Sequence, residues 1–217
     1  MDLGNPLGVI TSTVDAEVLL VLAGAEASFS GLQVHQLMAS NKSHKSVWNS
    51  LQRLSEQGIV LKGRHGSSGA YSLNREHLAA PYILGLANLK TELLEKIRNT
   101  LDLWEIKPTF AAIFGSAARG EMRLDSDIDI FLVRPNEVDV ESEIWVSQSS
   151  LLAGRVTRWT GNDARVFEQS VAEVAEGLVL REPVLTDIRS EGLTIMGDRT
   201  VLINVQSGNM ETLNGKE

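Results

Sequence analysis

Cysteine is absent from all 217 residues. Disulfides, thiolate chemistry and a cysteine-type zinc site are therefore excluded. Histidine is scarce, and His35, His44, His65 and His77 show no ligand spacing. Long hydrophobic runs are lacking too: the longest aliphatic stretch, Val18 to Ala23, is far short of the roughly 20 residues that a membrane-spanning helix needs. The opening MDLGNPLGVI has no basic segment ahead of an apolar one, so no signal peptide is expected. No internal repeat is visible. The expectation is a soluble cytoplasmic protein with no membrane partner. Its 43% hydrophobic content is ample for the packed cores of one or two domains.

The net charge of −8 argues against nonspecific nucleic-acid binding by the whole chain, but the charge is uneven. Residues 30–80 hold Lys42, Lys45, Arg53, Lys62, Arg64 and Arg75 against Glu56 and Glu76, a local +4. Residues 108–217 hold ten basic and eighteen acidic residues, a local −8. Such asymmetry points to two halves with different work.

The acidic half carries the most informative stretch, Ser126-Asp127-Ile128-Asp129-Ile130-Phe131-Leu132-Val133. Residues two apart on a strand share a face, about 6–7 Å apart. Ile128, Ile130 and Leu132 would then form an apolar face that needs a core. Aspartate is disfavoured in strands, and two side by side repel unless a cation lies between them. A hard divalent ion such as Mg²⁺ suits carboxylate oxygens. A plain half-exposed edge strand with a polar outer face is the alternative.

Just upstream, the apolar run Thr109–Phe114 ends in Gly115-Ser116, and a helix-like segment follows. Glycine permits a tight turn and close backbone approach. Ser116 brings a hydroxyl and an N–H to a helix start, where phosphate is attracted. It also suits an ordinary helix cap. Arg119 and Arg123 are expected four apart on that helix, an unfavourable like-charge spacing that an anion would relieve.

Gly115-Ser116, ten intervening residues, then Asp127-x-Asp129 resembles the signature of the nucleotidyltransferase superfamily. The run GSAARGEMRLDSDIDIFLV looks like its minimal, bacterial-type branch. The resemblance spans about residues 105–170. It implies a small α/β fold in which Gly115 and Ser116 hold the triphosphate of an NTP. Asp127 and Asp129 would bind Mg²⁺ or Mn²⁺ and position the α-phosphate for attack by an acceptor hydroxyl. The family usually adds a third carboxylate from a neighbouring strand. Here that strand should be residues 163–168, after a helix over about 140–160, with Glu168 as the obvious acid and Asp163 behind it. An alternative register puts Arg165 at that position, which could contact phosphate but not act as a base.

The basic half has its own layout. Helices are expected from Thr13 to Ala25, from Ser30, and from Asn41 or Ser43 to Gln57, where Gly58 stops the last. Two strands, 59–64 and 69–73, flank a Gly/Ser/His turn. Three helices and a hairpin over about residues 12–75 resemble a winged helix-turn-helix. That resemblance implies DNA binding, with the third helix in the major groove. Ser43, Lys45, Ser46, Asn49 and Arg53 would face outward, Asn49 as the best-placed base reader, and Lys62, Arg64 and His65 would lie on the wing. Use of the same module for dimerisation or protein contact stays open.

The expected fold class is α+β: a winged helix-turn-helix domain (1–75), a linking amphipathic helix (76–104) and a nucleotidyltransferase-like α/β domain with a small mixed sheet (105–217). One or two further helices are expected over 170–192, and the tail Gln206–Glu217 is expected to fray. The leading functional expectation is Mg²⁺-dependent transfer of a nucleoside monophosphate from an NTP to an unknown acceptor, whether protein, RNA or small molecule. A transcriptional regulator whose transferase-like domain only senses nucleotide is the second. Antibiotic modification is a third and weaker one, and a homodimer is compatible with all three.

Overall fold

A computed structural model describes residues 1–65, 68–123 and 125–203; within these, the side chains of Arg64, His65 and Ser68 are outside the description. The tail expected to fray, 206–217, lies outside the described residues. The chain divides into two compact units, Met1–Glu92 and Leu93–Glu217.

The first unit opens with a short 3-10 turn, Pro6–Val9, and then α1, Val14–Ala23. The two-residue strand β1, Phe29–Ser30, leads into α2, Gly31–Leu37. Ser30 caps α2 with a full capping box: its hydroxyl accepts from the Gln33 N–H while Gln33 accepts from the Ser30 N–H. Helix α3, His44–Glu56, is capped by Ser43, not Asn41. Gly58, at φ +76°, turns the chain into the antiparallel strands β2, Val60–His65, and β3, Ser68–Leu73. Strand β1 adds to β3, giving the sheet order β1-β3-β2.

Val18, Leu22, Val34, Val47, Leu51, Tyr71 and their neighbours form this unit's core. On α2, Val34 is buried, whereas Leu32 and Leu37 are exposed. Polar contacts also fix α1 to α3: Arg53 pairs with Asp15, and the Ser50 hydroxyl donates to the same carboxylate at 2.6 Å. The expected single linking helix is instead two, α4 (Ala80–Ala87) and α5 (Leu89–Asp102), interrupted at Asn88 with φ −93° and ψ 5°. The division between the units falls inside α5.

The second unit is built on a four-stranded mixed sheet. Strand β4 (Phe110–Phe114) runs through the short helix α6 (Ser116–Arg119) to β5 (Ile128–Arg134). Helix α7 (Glu143–Thr160) crosses over to β6 (Ala164–Ser170), which lies parallel to β5. Helices α8 (Val171–Val179) and α9 (Pro183–Glu191) follow. The chain then returns as β7 (Leu193–Met196), antiparallel to β4, and a 3-10 turn, Arg199–Leu202. The sheet order is β6-β5-β4-β7. Strand β7 was not expected from the sequence: its four residues are too few to show alternation.

Central position explains the composition of β5. Ile128, Ile130 and Leu132 are fully buried on one face, as expected, but Phe131 and Val133 are fully buried on the other. That second face holds an aromatic cluster: Phe131 stacks on Phe167 with centroids 5.5 Å apart and meets Phe110 at 6.4 Å, while Phe114 meets Phe167 edge-on at 6.3 Å. Val174, Leu185 and Ile188 from α8 and α9 close over it. Phe131→Ala is expected to cost this unit about 3–5 kcal/mol, the range for emptying a buried aromatic site; chemical denaturation followed by tryptophan fluorescence measures it, and a loss below about 1 kcal/mol would show the cluster to be loosely packed.

Candidate functional site

The motif residues converge at one end of the sheet. Strand β4 ends at Phe114, whose Cα partner on β5 is Asp129. Gly115 then takes φ +69° and ψ −149°, a conformation open essentially to glycine. A Cβ built there would lie 2.9 Å from Asp129 Oδ2. The carboxylate thus lies beside the turn, in space that a side chain at 115 would enter. Ser116 follows as the first residue of α6, half-buried.

Helix α6 is a single turn. Gly120, at φ +72°, ends it in the left-handed conformation. Arg119 is therefore its last residue, and Arg123 is not on the helix at all, contrary to the expected four-residue spacing. The Arg119 guanidinium is bound to carboxylates, 2.8 Å from Glu121 and 3.2 Å from Glu191, which raise its pKa. A phosphate would have to displace both. Arg123 is exposed and belongs to the turn before the acids, where its N–H donates to the Ser126 hydroxyl at 2.8 Å.

That turn is held from below by Asn162, a residue the motif does not contain. Asn162 is buried and donates to the Ser126 carbonyl at 2.9 Å, while the Ile128 N–H donates to the Asp163 carbonyl at 2.8 Å. Its one sequence signal is position, directly after Gly161, whose φ of +76° ends α7. Asp127 sits immediately before β5 and Asp129 is its second residue, both half-buried.

Parallel pairing of β5 with β6 decides the third group. Asp129 is opposite Arg165, whereas Leu132 is opposite Glu168. Glu168 is thus on the sheet face away from Asp129, and its carboxylate accepts from the Trp145 indole N–H. The expectation that Glu168 supplies a third acid is corrected by this register: Glu168 lies three positions from Arg165, an odd offset that turns it to the opposite face. Asp163 precedes β6 and contributes its carbonyl to the Ile128 bond. Arg165 faces the pair instead, with Nη2 2.9 Å from Asp127 Oδ2. Among the described residues no group of three or more His, Cys, Asp or Glu side chains is arranged to hold a metal. Two carboxylates beside an open turn nevertheless fit Mg²⁺, which commonly takes one or two protein carboxylates and completes its shell with water and substrate phosphate.

Electrostatics at Asp129 follow from this packing. Burial, and secondarily the charge of Asp127, raise its pKa above the ordinary 3.8, with Arg165 opposing.

Residues 94–183, under half of the chain, match the nucleotidyltransferase domain family. Two solved structures are similar over 51% of this chain and 77% of theirs. One is a toxin–antitoxin complex with AMP-PNP, at 19% identity and a TM-score of 0.36; the other is a mutant of the toxin–antitoxin pair MntA-HpeT, at 18% and 0.35. No curated protein matches.

The expected DNA-facing residues lie on the first unit. Lys45 and Asn49 are exposed on α3. Ser43 is its cap, and Ser46 is half-buried with its hydroxyl donating to the Ser43 carbonyl at 2.8 Å. Arg53 is paired with Asp15 and so is not a free cation. Lys62, on β2, lies 5.7 Å from the Trp48 ring centroid and 3.4 Å from Gln52 Oε1. Arg64 and His65 end β2, but their side chains lie outside the description. Trp48, 46% exposed on α3, is a surface aromatic that the sequence reading passed over.

A raised carboxyl pKa means that the folded state binds the Asp129 proton more tightly than the unfolded chain. Stability associated with this group is therefore present at low pH and lost as pH rises through its folded value. Asp129→Asn in metal-free protein is expected to raise the melting temperature at about pH 7, with the gain shrinking toward about pH 4. Thermal melts across that range check it, and a gain that did not change with pH would remove ionisation as the cause.

Proposed function

We propose that the chain is a divalent-metal-dependent nucleotidyltransferase that moves a nucleoside monophosphate from an NTP to an acceptor hydroxyl. The observation that carries this reading is that the Asp129 carboxylate lies beside the Gly115 turn, 2.9 Å from where a Cβ would stand there. Gly115 and Ser116 would receive the triphosphate. Asp127 and Asp129 would hold Mg²⁺ or Mn²⁺, which supplies charge neutralisation of the phosphates when bound. The acceptor oxygen forms a bond to the α-phosphorus, the bond from that phosphorus to the bridging oxygen breaks, and pyrophosphate leaves. The hydroxyl proton passes to solvent, since no third acid stands at the pair among the described residues. Arg119 and Arg123 border the turn, and Arg119 reaches an anion only by leaving its two acidic partners.

The first unit reads as a winged helix-turn-helix that binds DNA, in a cytoplasmic protein. Its helices and hairpin follow in that order, and Lys45, Asn49 and Lys62 are exposed on the elements that would face a duplex. A second reading, a transcriptional regulator that senses nucleotide without transfer, is favoured by one observation: the Arg165 guanidinium occupies Asp127 while Glu168 is turned away.

Incubation with each α-³²P-labelled NTP and Mg²⁺ against protein, RNA and small-molecule acceptors separates the two. Label should move to an acceptor, and Asp127→Asn with Asp129→Asn should abolish both transfer and metal-dependent NTP binding. NTP binding without transfer favours the sensor; unchanged NTP affinity in the double variant removes the site assignment.

DNA binding by the full chain should weaken steeply with salt, since each phosphate neutralised releases counterions. Lys62→Ala should weaken binding to all sequences and flatten that slope by roughly one, whereas Asn49→Ala should alter sequence preference. Titration of labelled duplexes at several salt concentrations measures both. A folded protein that binds no duplex at low salt would leave the unit to dimerisation or acceptor presentation.

A further inference from the structure

The acid pair faces a cation of the chain's own. Arg165 lies opposite Asp129 across the parallel strands and reaches Asp127 with its guanidinium at 2.9 Å. Its side chain is 70% exposed. A guanidinium cannot give up its proton, so Arg165 is no base. Its planar fork matches phosphate oxygens as well as carboxylate oxygens. Two carboxylates and one guanidinium leave this face with a single net negative charge. Two divalent ions about 3.5–4 Å apart repel strongly and need several shared anionic ligands, and the described residues offer no third one here.

We propose that this site holds one divalent ion, and that Arg165 supplies the second positive charge by exchanging Asp127 for the phosphates of the bound NTP. The inference rests on the nucleotidyltransferase reading. In the nucleotide-free protein the guanidinium neutralises Asp127 and competes with metal. On nucleotide binding it turns to the α-phosphate oxygens, and Asp127 is released to the ion. The same side chain thus opposes metal in one state and favours nucleotide in the other.

That opposition of signs is the test. Mn²⁺ binding to the full chain is followed by electron paramagnetic resonance, with and without the four α,β-methylene NTP analogues, whose binding is followed by calorimetry. The native chain should hold one Mn²⁺ in its nucleotide complex. Arg165→Ala should bind Mn²⁺ several-fold more tightly without nucleotide, yet lose about tenfold or more in analogue affinity, the scale of one charge-assisted hydrogen bond. Arg165→Lys should recover part of both effects. Arg165→Asp should admit a second ion. Two ions in the native complex overturn the proposal, as does an Arg165→Ala variant in which both affinities move together or neither moves. A native chain that binds none of the analogues overturns this inference and the underlying reading together; analogue binding indifferent to position 165 overturns this inference alone.

Discussion

Two like charges held side by side at the edge of an aromatic cluster are the constraint around which the second unit is arranged. Asp127 and Asp129 repel each other, and Asp129 is also partly withdrawn from water. The local group that relieves the repulsion is Arg165, whose guanidinium lies 2.9 Å from Asp127. The arrangement is maintained by elements that are stable for other reasons: the ladder to β4 on one side, the parallel ladder to β6 on the other, and the Asn162 tether beneath the preceding turn. The strain of the pair is thus carried by the sheet, whose ladders hold the two carboxylates side by side.

Much of this was legible in the residues. The spacing of Gly115-Ser116 and Asp127-x-Asp129 identified the strand, the turn and the shared acidic face, because each depends on short-range backbone geometry. The identity of the third facing group was not fixed by spacing alone. It depends on the register of β6 against β5, and residues 163–168 contain Asp163, Arg165 and Glu168 within one strand length. Only the pairing of Asp129 with Arg165 selects among them. The one-turn length of α6 was hidden for a similar reason. Gly120 is permissive in sequence, and only its left-handed φ shows that the helix ends there.

In the first unit, helix and strand positions followed from caps and periodicity, with Ser30, Ser43 and Gly58 marking the boundaries. Side-chain roles followed less well. The local charge of +4 counts Arg53 as surface charge, yet that group is joined to Asp15 and helps fix α3 against α1. An outward helical position and an available charge are different properties, and a charge sum over a segment cannot separate them. The interruption at Asn88 was likewise invisible to apolar spacing, which continues in register across it.

The positive φ of Gly115 and the Asp129 carboxylate beside it make position 115 intolerant of every other side chain. A replacement there would take on a strained backbone and press on the Asp129 carboxylate. A residue with no side chain thus constrains the sequence of this turn through the space it leaves empty.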